Sequence, residues 1–304
     1  MIRPVAFEFN AQTATNNHYQ RLVDGMDPAK AQQLALAEFE AFSTKLKAEG
    51  VNVIIVHDTI EPHTPDSIFP NNWISFHESG MVVLYPMCAE NRRAERREDV
   101  LDILRSKGFR ISEILDYSGS EQDGLFLEGT GSMVLDRENL IVYACLSIRT
   151  DETMLNDWAE QLGYRVVCFD ALQMNNGKLM PIYHTNVMMS VGKHLAVVCA
   201  ESVRDETQQQ LLLNTLKESG KEIILISEEQ KSNFAGNMLE VVSDSGKPLM
   251  VMSSQAFASL EPHQIEKIEQ YDTILHSPLD TIEALGGGSA RCMMAEVFLP
   301  KPNT

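Results

Sequence analysis

Short apolar runs separated by turn residues recur along the chain. Asn72 opens NWISFHESGMVVLYP, two apolar runs around Glu-Ser-Gly, and Gly131 opens GSMVLDRENLIVYACL, two runs around Asp-Arg-Glu-Asn. Asn186 opens NVMMSVGKHLAVVCA, with a turn at Gly192-Lys193. Asn237 opens NMLEVVSDSGKPLMVMS, with a turn at Asp244-Ser245-Gly246. Apolar runs flanked by such residues predict β-hairpins. A fifth run, CMMAEVFLP, starts at Cys292, and its expected partner strand is the N-terminal RPVAFEF. The five openings lie 51 to 59 residues apart.

A helical pattern follows each hairpin, over 91–107, 151–162, 201–219 and 259–271, closed in several cases by glycine or charge. A single apolar strand comes next, at 111–117, 164–171, 221–227 and 273–278. The fifth helix is expected over 28–49, alanine-rich and amphipathic, with VNVIIVH (51–57) after it. The two ends of the chain then form one unit. The reading is an α/β fold of five ββαβ units of about 55 residues, closed into a propeller-like ring as a single domain over 1–304. The competing reading, a doubly wound sheet, calls for a glycine-rich loop after its first strand. Here the strand ending at His57 leads into DTIEPHTPDSIFPNN instead.

Composition narrows the class without altering the fold. Of 304 residues, 44% are hydrophobic and 22% charged, a globular balance. No apolar run approaches the ~18 residues a membrane span needs, and MIRPVAFEFN lacks the pattern of a signal peptide. The five cysteines are odd in number, scattered and without a CxxC pair, which predicts reduced thiols in a cytoplasmic protein and no metal site. A formal charge of −18 argues against nucleic acid and anionic membranes as partners.

In a closed ring, the loop before each hairpin faces the same axis. Those loops are PDSIFPNNW (65–73), FLEGTGS (126–132), YHTN (183–186), NFAGN (233–237) and GGGSARC (286–292). They supply Asp66, Asn71, Asn72, Glu128, His184, Asn186, Asn237 and Cys292. A thiol for attack, an imidazole for proton transfer and a carboxylate to orient it make up a covalent-catalysis set. Each residue also has a plainer reading: a core cysteine, a satisfied core histidine, a surface turn at Glu128, turn-capping asparagines. Their coincidence at one phase of the repeat favours a site.

These loops resemble those of the guanidino-group-modifying, pentein-fold superfamily of dimethylarginine dimethylaminohydrolases, arginine deiminases and amidinotransferases. PDSIF (65–69), AENRRAE (89–95), LSIRT (146–150), YHTN and GGGSARCM carry the likeness through most of the chain. FEFNAQTATNNHYQ with PNNW looks most like the branch of citrulline utilization hydrolases. The resemblance implies Cys292 as nucleophile, His184 as general acid/base and Glu128 as the carboxylate that binds and orients the substrate nitrogens. Asp66 would contact the substrate head, and Arg92, Arg93 and Arg149 are candidates for its α-carboxylate. Neither a metal nor an organic cofactor is implied, the expected partner is a small amino acid, and a homodimer is left open.

Two departures from the superfamily bear on the substrate. Asn71-Asn72 stand where guanidinium-processing relatives have a carboxylate after this loop. His184-Thr185-Asn186 stands where arginine deiminases have His-x-Asp. A guanidinium offers only donors, whereas a ureido group also presents a carbonyl oxygen, which an amide can serve. The expectation is therefore hydrolysis of a ureido amino acid, citrulline, through an S-carbamoyl intermediate. The alternatives are an arginine or methylarginine hydrolase, an amidinotransferase, and a catalytically silent amino-acid-binding protein.

Overall fold

Four hairpins form where the apolar runs place them, and each gains a parallel third strand. In the computed structural model, which describes residues 1–175 and 177–301, Ile74–Phe76 pairs antiparallel with Met81–Leu84. Met81–Leu84 pairs parallel with Glu113–Asp116. The same order recurs in Val134–Asp136, Ile141–Cys145 and Arg165–Phe169. It recurs again in Met189–Val191, Leu195–Val198 and Glu222–Leu225. The last is Leu239–Val242, Pro248–Ser253 and Thr273–Ser277. The middle strands are largely buried, wholly so from Ile141 to Cys145 and from Leu195 to Val198, as expected of strands covered on both faces.

The crossovers between second and third strands carry the helices, and several of these start at a capping side chain. Asp151 accepts from the Met154 amide to open Glu152–Leu162, and Asp205 accepts from Gln208 to open Glu206–Glu218. Two expected helices are broken. The segment 91–107 is a 3₁₀ turn, Glu90–Glu95, followed by a helix, Glu98–Ser106. Arg96 and Arg97 between them are extended, and their side chains pair with Glu121 and with Asp58 and Asp99. The segment 201–219 is likewise a 3₁₀ turn, Ala200–Ser202, followed by Glu206–Glu218, while the helix expected over 259–271 is Pro262–Glu269, with a separate short helix, Ser254–Ser259, ahead of it. An additional hairpin, Leu172–Asn175 with Lys178–Pro181, was not expected from the pattern.

The fifth unit differs most from expectation. Its helix is present as Pro28–Ala48, with Pro28 in its first turn and the Asp27 side chain accepting from the Lys30 amide. Ala31, Ala35, Phe39, Phe42 and Leu46 form its buried stripe, in one apolar cluster with Leu249, Leu275 and Cys292. Only Ile2–Arg3 and Val56–His57 pair, in parallel, and no strand forms over 294–299. There the Arg291 guanidinium takes the Met294 carbonyl at 3.1 Å, withdrawing it from any ladder. The fold is thus α/β with four matching three-stranded sheets and one reduced pair. Among the described residues, no helix is long and apolar enough to cross a membrane.

Candidate active site

Hydrogen bonds tie the loops before the hairpins to one another in sequence order. Thr130 Oγ1 donates to the Asn71 carbonyl at 3.3 Å, and Thr185 Oγ1 donates to the Ser132 carbonyl at 2.5 Å. Asn237 Nδ2 donates to the Asn186 carbonyl at 2.9 Å, and Asn237 Oδ1 accepts from the Arg291 amide at 3.1 Å. Glycine makes this crowding possible. A Cβ on Gly131 would stand 2.4 Å from Asn72 Nδ2 and 2.7 Å from His184 Nδ1. A Cβ on Gly286 or Gly288 would press into the Phe69 ring. Cys292, His184, Asp66, Asn72, Arg92 and Arg149 line a common cavity with Tyr183 and Gly286 to Gly288. A wider groove elsewhere, lined by His77, Arg137 and Phe298, contains none of the expected site residues.

The thiol sits on a short turn, Ala290–Met293, and is 4% exposed. Two amides reach its sulfur: Asn237 Nδ2 at 3.3 Å and Asn186 Nδ2 at 3.4 Å. Both could stabilise negative charge there. His184 is 2% exposed, and its Nε2 lies 2.8 Å from Glu128 Oε2. Burial pushes the imidazole pKa down, and the Glu128 carboxylate recovers only part of the drop, leaving it at about 4. His184 is therefore neutral near pH 7. With Nε2–H donated to Glu128, the accepting lone pair is on Nδ1, toward Asn72 and Gly131.

Glu128 has no exposed surface and both its oxygens are engaged. Oε1 accepts from the Cys88 amide at 2.9 Å; Oε2 accepts from His184 and from Arg149 Nη1 at 3.2 Å. Burial alone would raise this carboxyl, but Arg149, His184 and Arg92 together hold it well below the usual range. Asp66 keeps one oxygen open. Its Oδ2 accepts from Asn10 at 2.8 Å and Thr13 at 3.0 Å, while Oδ1 is buried without a partner. Burial raises its pKa against the pull of Arg92.

The arginines divide three ways. Arg92 is buried and internally committed: it grips both Glu95 oxygens, at 2.8 and 2.9 Å, and donates to Asn72 Oδ1 at 2.9 Å. It fixes the 66–72 loop from the cavity wall. Arg93 pairs with Glu121 and the Met87 carbonyl and does not line the cavity. Arg149 is at the cavity, its guanidinium over the Tyr183 ring at 5.0 Å and its Nε donating to Asn16 Oδ1 at 2.8 Å. Asn72 presents a buried, unpartnered Nδ2, whereas Asn71 lies behind the wall with neither amide atom paired.

Sequence reasoning missed the cover. Residues 10–21 lie across the cavity: Asn17 Nδ2 donates to the Gly286 and Gly287 carbonyls, Gln20 to Leu285, and the Arg21 amide to Ala284. Asn10 and Thr13 hold Asp66, and Asn16 holds Arg149. FEFNAQTATNNHYQ carried part of the resemblance, but nothing in its residues placed it over the site. All five cysteines are free thiols, and among the described residues no three potential ligands group around a metal position.

Residues 3–299 match the family described as N,N dimethylarginine dimethylhydrolase, eukaryotic. The chain belongs to this hydrolase family. No curated protein matches it significantly by sequence. Among solved structures, the dimethylarginine hydrolase family member described here is similar to apo ArgZ, an arginine dihydrolase from the ornithine-ammonia cycle in cyanobacteria. The TM-score is 0.74 at 19% identity, covering 99% of this chain and 40% of that one. It thus spans less than half of full-length ArgZ. The N-terminal domain of ArgZ, covalently bound to a reaction intermediate, matches with TM-score 0.71 and 19% identity over 99% of this chain and 98% of that domain. A dimethylarginine dimethylaminohydrolase adduct with S-methyl-L-thiocitrulline matches with TM-score 0.62 and 16% identity over 96% of both chains. These likenesses show a shared α/β fold.

Proposed function

We propose that this chain is a cysteine-dependent hydrolase that breaks a C–N bond at the head carbon of a guanidino amino acid, arginine or a methylated arginine. One arrangement carries the reading. Cys292 Sγ, with two amide donors at 3.3 and 3.4 Å, lines the same cavity as His184, whose Nε2 is held from behind by Glu128. Family membership supports the substrate class. The four matching sheets and the bonded succession of loops support the five-unit propeller as the frame.

Neutral His184 takes the thiol proton, and the sulfur attacks the head carbon to form a C–S bond. His184 returns the proton to the departing nitrogen as the C–N bond breaks, releasing ammonia or a methylamine. Water then gives a proton to His184 and adds to the carbon. Collapse breaks the C–S bond, restores the thiol and leaves a ureido product. Asp66 Oδ1 faces the cationic head, Glu128 orients His184 from behind, the Asn186 and Asn237 amides offset charge on sulfur, and Arg149 takes the α-carboxylate in place of Asn16.

A second reading, citrulline hydrolysis, is favoured by one observation. The Arg92 contact fixes Asn72 so that its Nδ2 points to the cavity as a donor without a partner. A ureido oxygen would satisfy it, and a guanidinium would not. Turnover of arginine, methylarginines, agmatine and citrulline by wild type, scored by the released amine, decides between the readings. No release from any of them, with Cys292 intact, would leave an amino-acid-binding protein.

A further inference from the structure

The nucleophile turn is anchored from beneath by a carboxyl group outside the cavity. Glu283 lies in the π-turn Ile282–Gly286 and is 2% exposed. Its carbonyl accepts from the Gly287 amide at 3.0 Å, and its Oε1 accepts from Ser289 Oγ at 2.5 Å. The Ser289 carbonyl in turn accepts from the Cys292 amide at 3.0 Å. One side chain thus reaches the Cys292 backbone amide through two hydrogen bonds that share Ser289. Its other oxygen, Oε2, is buried with no partner.

Among the described residues, no cation pairs with this carboxyl. The charged groups that face it are Asp280, on the preceding segment, and Glu38, on the helix Pro28–Ala48, both of its own sign. The hydroxyls of Ser253 and Ser289 oppose them only in part, and burial raises the group to about 7. Glu38 has its own task, accepting from the Thr281 and Ile282 amides at 2.8 and 3.0 Å. The loop that carries the thiol therefore rests on an acid that titrates within the working range of an enzyme.

We propose that Glu283 is a positioning residue for the nucleophile: as a carboxylate it holds the Ser289 hydroxyl and so fixes the Cys292 turn, and as the neutral acid it releases that turn. A charge-assisted O–H···O⁻ bond is about twice as strong as a neutral one, so ionisation tightens the link. Stability runs the opposite way. The folded pKa lies above the ordinary 4.5, so the neutral acid's contribution is full below about 4.5 and is lost as pH rises through about 7.

The proposal rests on Cys292 being the nucleophile, and the test keeps the two ideas apart. The rate of Cys292 alkylation by iodoacetamide, followed by mass, is measured against pH for wild type, Glu283→Gln and Ser289→Ala, with melting temperatures alongside. Wild type should show a rise through about pH 7 in addition to the thiol's own ionisation. Both variants should lack that rise and label about fivefold or more slowly at pH 8. The double variant should be no slower than either single one. Glu283→Gln should also melt higher than wild type at pH 8. Profiles that superpose on wild type, or that are merely scaled down, would overturn the positioning role. Failure of Cys292 to label in wild type would overturn the nucleophile and this proposal together. Ser289→Ala leaves the acid in place, so the question can be answered even where Glu283→Gln folds poorly.

Discussion

Glu128 and His184, 56 residues apart in sequence, are joined by a 2.8 Å bond between Oε2 and Nε2. That bond sets the imidazole tautomer, and the same oxygen anchors Arg149. Glu128→Gln should lower kcat about 100-fold or more, because the base would be misoriented. It should also cost about 3–5 kcal/mol, because Arg149 would be left buried without its countercharge. Steady-state kinetics and urea melts measure both. A pH signature goes with it. The folded carboxyl binds protons less readily than the ordinary value of 4.5, so its stabilisation is present above about 4.5 and drains as pH falls toward the folded value. Wild type should thus lose stability more steeply than the variant below about pH 4.5.

Replacing Cys292 with serine should remove nearly all turnover while the melting temperature stays close to wild type, since the hydroxyl lacks an equivalent nucleophile. Alanine at Cys88 or Cys168, both half-buried, should leave the rate within about twofold. Retention of more than a few per cent of activity by the serine variant would remove Cys292 from the role.

The asparagines decide the head group. Aspartate at Asn72 should lower turnover of citrulline, because the cavity would lose its donor toward a ureido oxygen. It should improve arginine binding only modestly, because desolvating the new ion pair limits the gain. Aspartate at Asn186 should slow both substrates by about tenfold or more, since it places an acceptor against the sulfur in place of an amide donor. Equal effects of the Asn72 change on both substrates would end the ureido reading.

Gly131 has no room for a side chain. Alanine there would drive Asn72 and His184 apart, costing about 1–3 kcal/mol of strain and more than tenfold in kcat. Gly119, whose added Cβ would meet nothing within 4 Å, serves as the control and should tolerate alanine with unchanged kinetics.

For the α-carboxylate, Arg149→Lys should raise KM by about 10- to 150-fold, the loss of a forked, charge-assisted contact. Arg93→Ala should leave KM unchanged, because that side chain is spent on Glu121 and Met87. KM values for arginine and agmatine give the check: the Arg149 effect should disappear for the decarboxylated substrate.

Much of the frame was legible because hairpin turns and buried middle strands leave local marks. The runs around Gly192-Lys193 and Asp244-Ser245-Gly246 became paired strands in the expected places. The run from Cys292 did not, since Arg291 claims the Met294 carbonyl, and a side chain folding back on its own backbone leaves no periodic trace. The site loops were readable for a similar reason: they occupy one phase of a repeat. Arg92 and Arg93 were adjacent and identical in sequence, and only the 3₁₀ turn sends one into the wall and the other away. The cover over 10–21 is held by side chains on distant carbonyls, which no local pattern encodes.

That cover has a consequence for how the protein is made. Asn17 and the Gly287 carbonyl it holds are 270 positions apart, among the longest loops the chain can close. During synthesis the cover emerges well before the glycine turn with its thiol. A nascent chain can complete its early sheets but cannot form the cavity until residues 284–292 have left the ribosome. Contacts of such sequence separation form slowly. Appearance of reactive Cys292 should therefore lag behind burial of Trp73 and Trp158, both of which precede the glycine turn by more than a hundred residues.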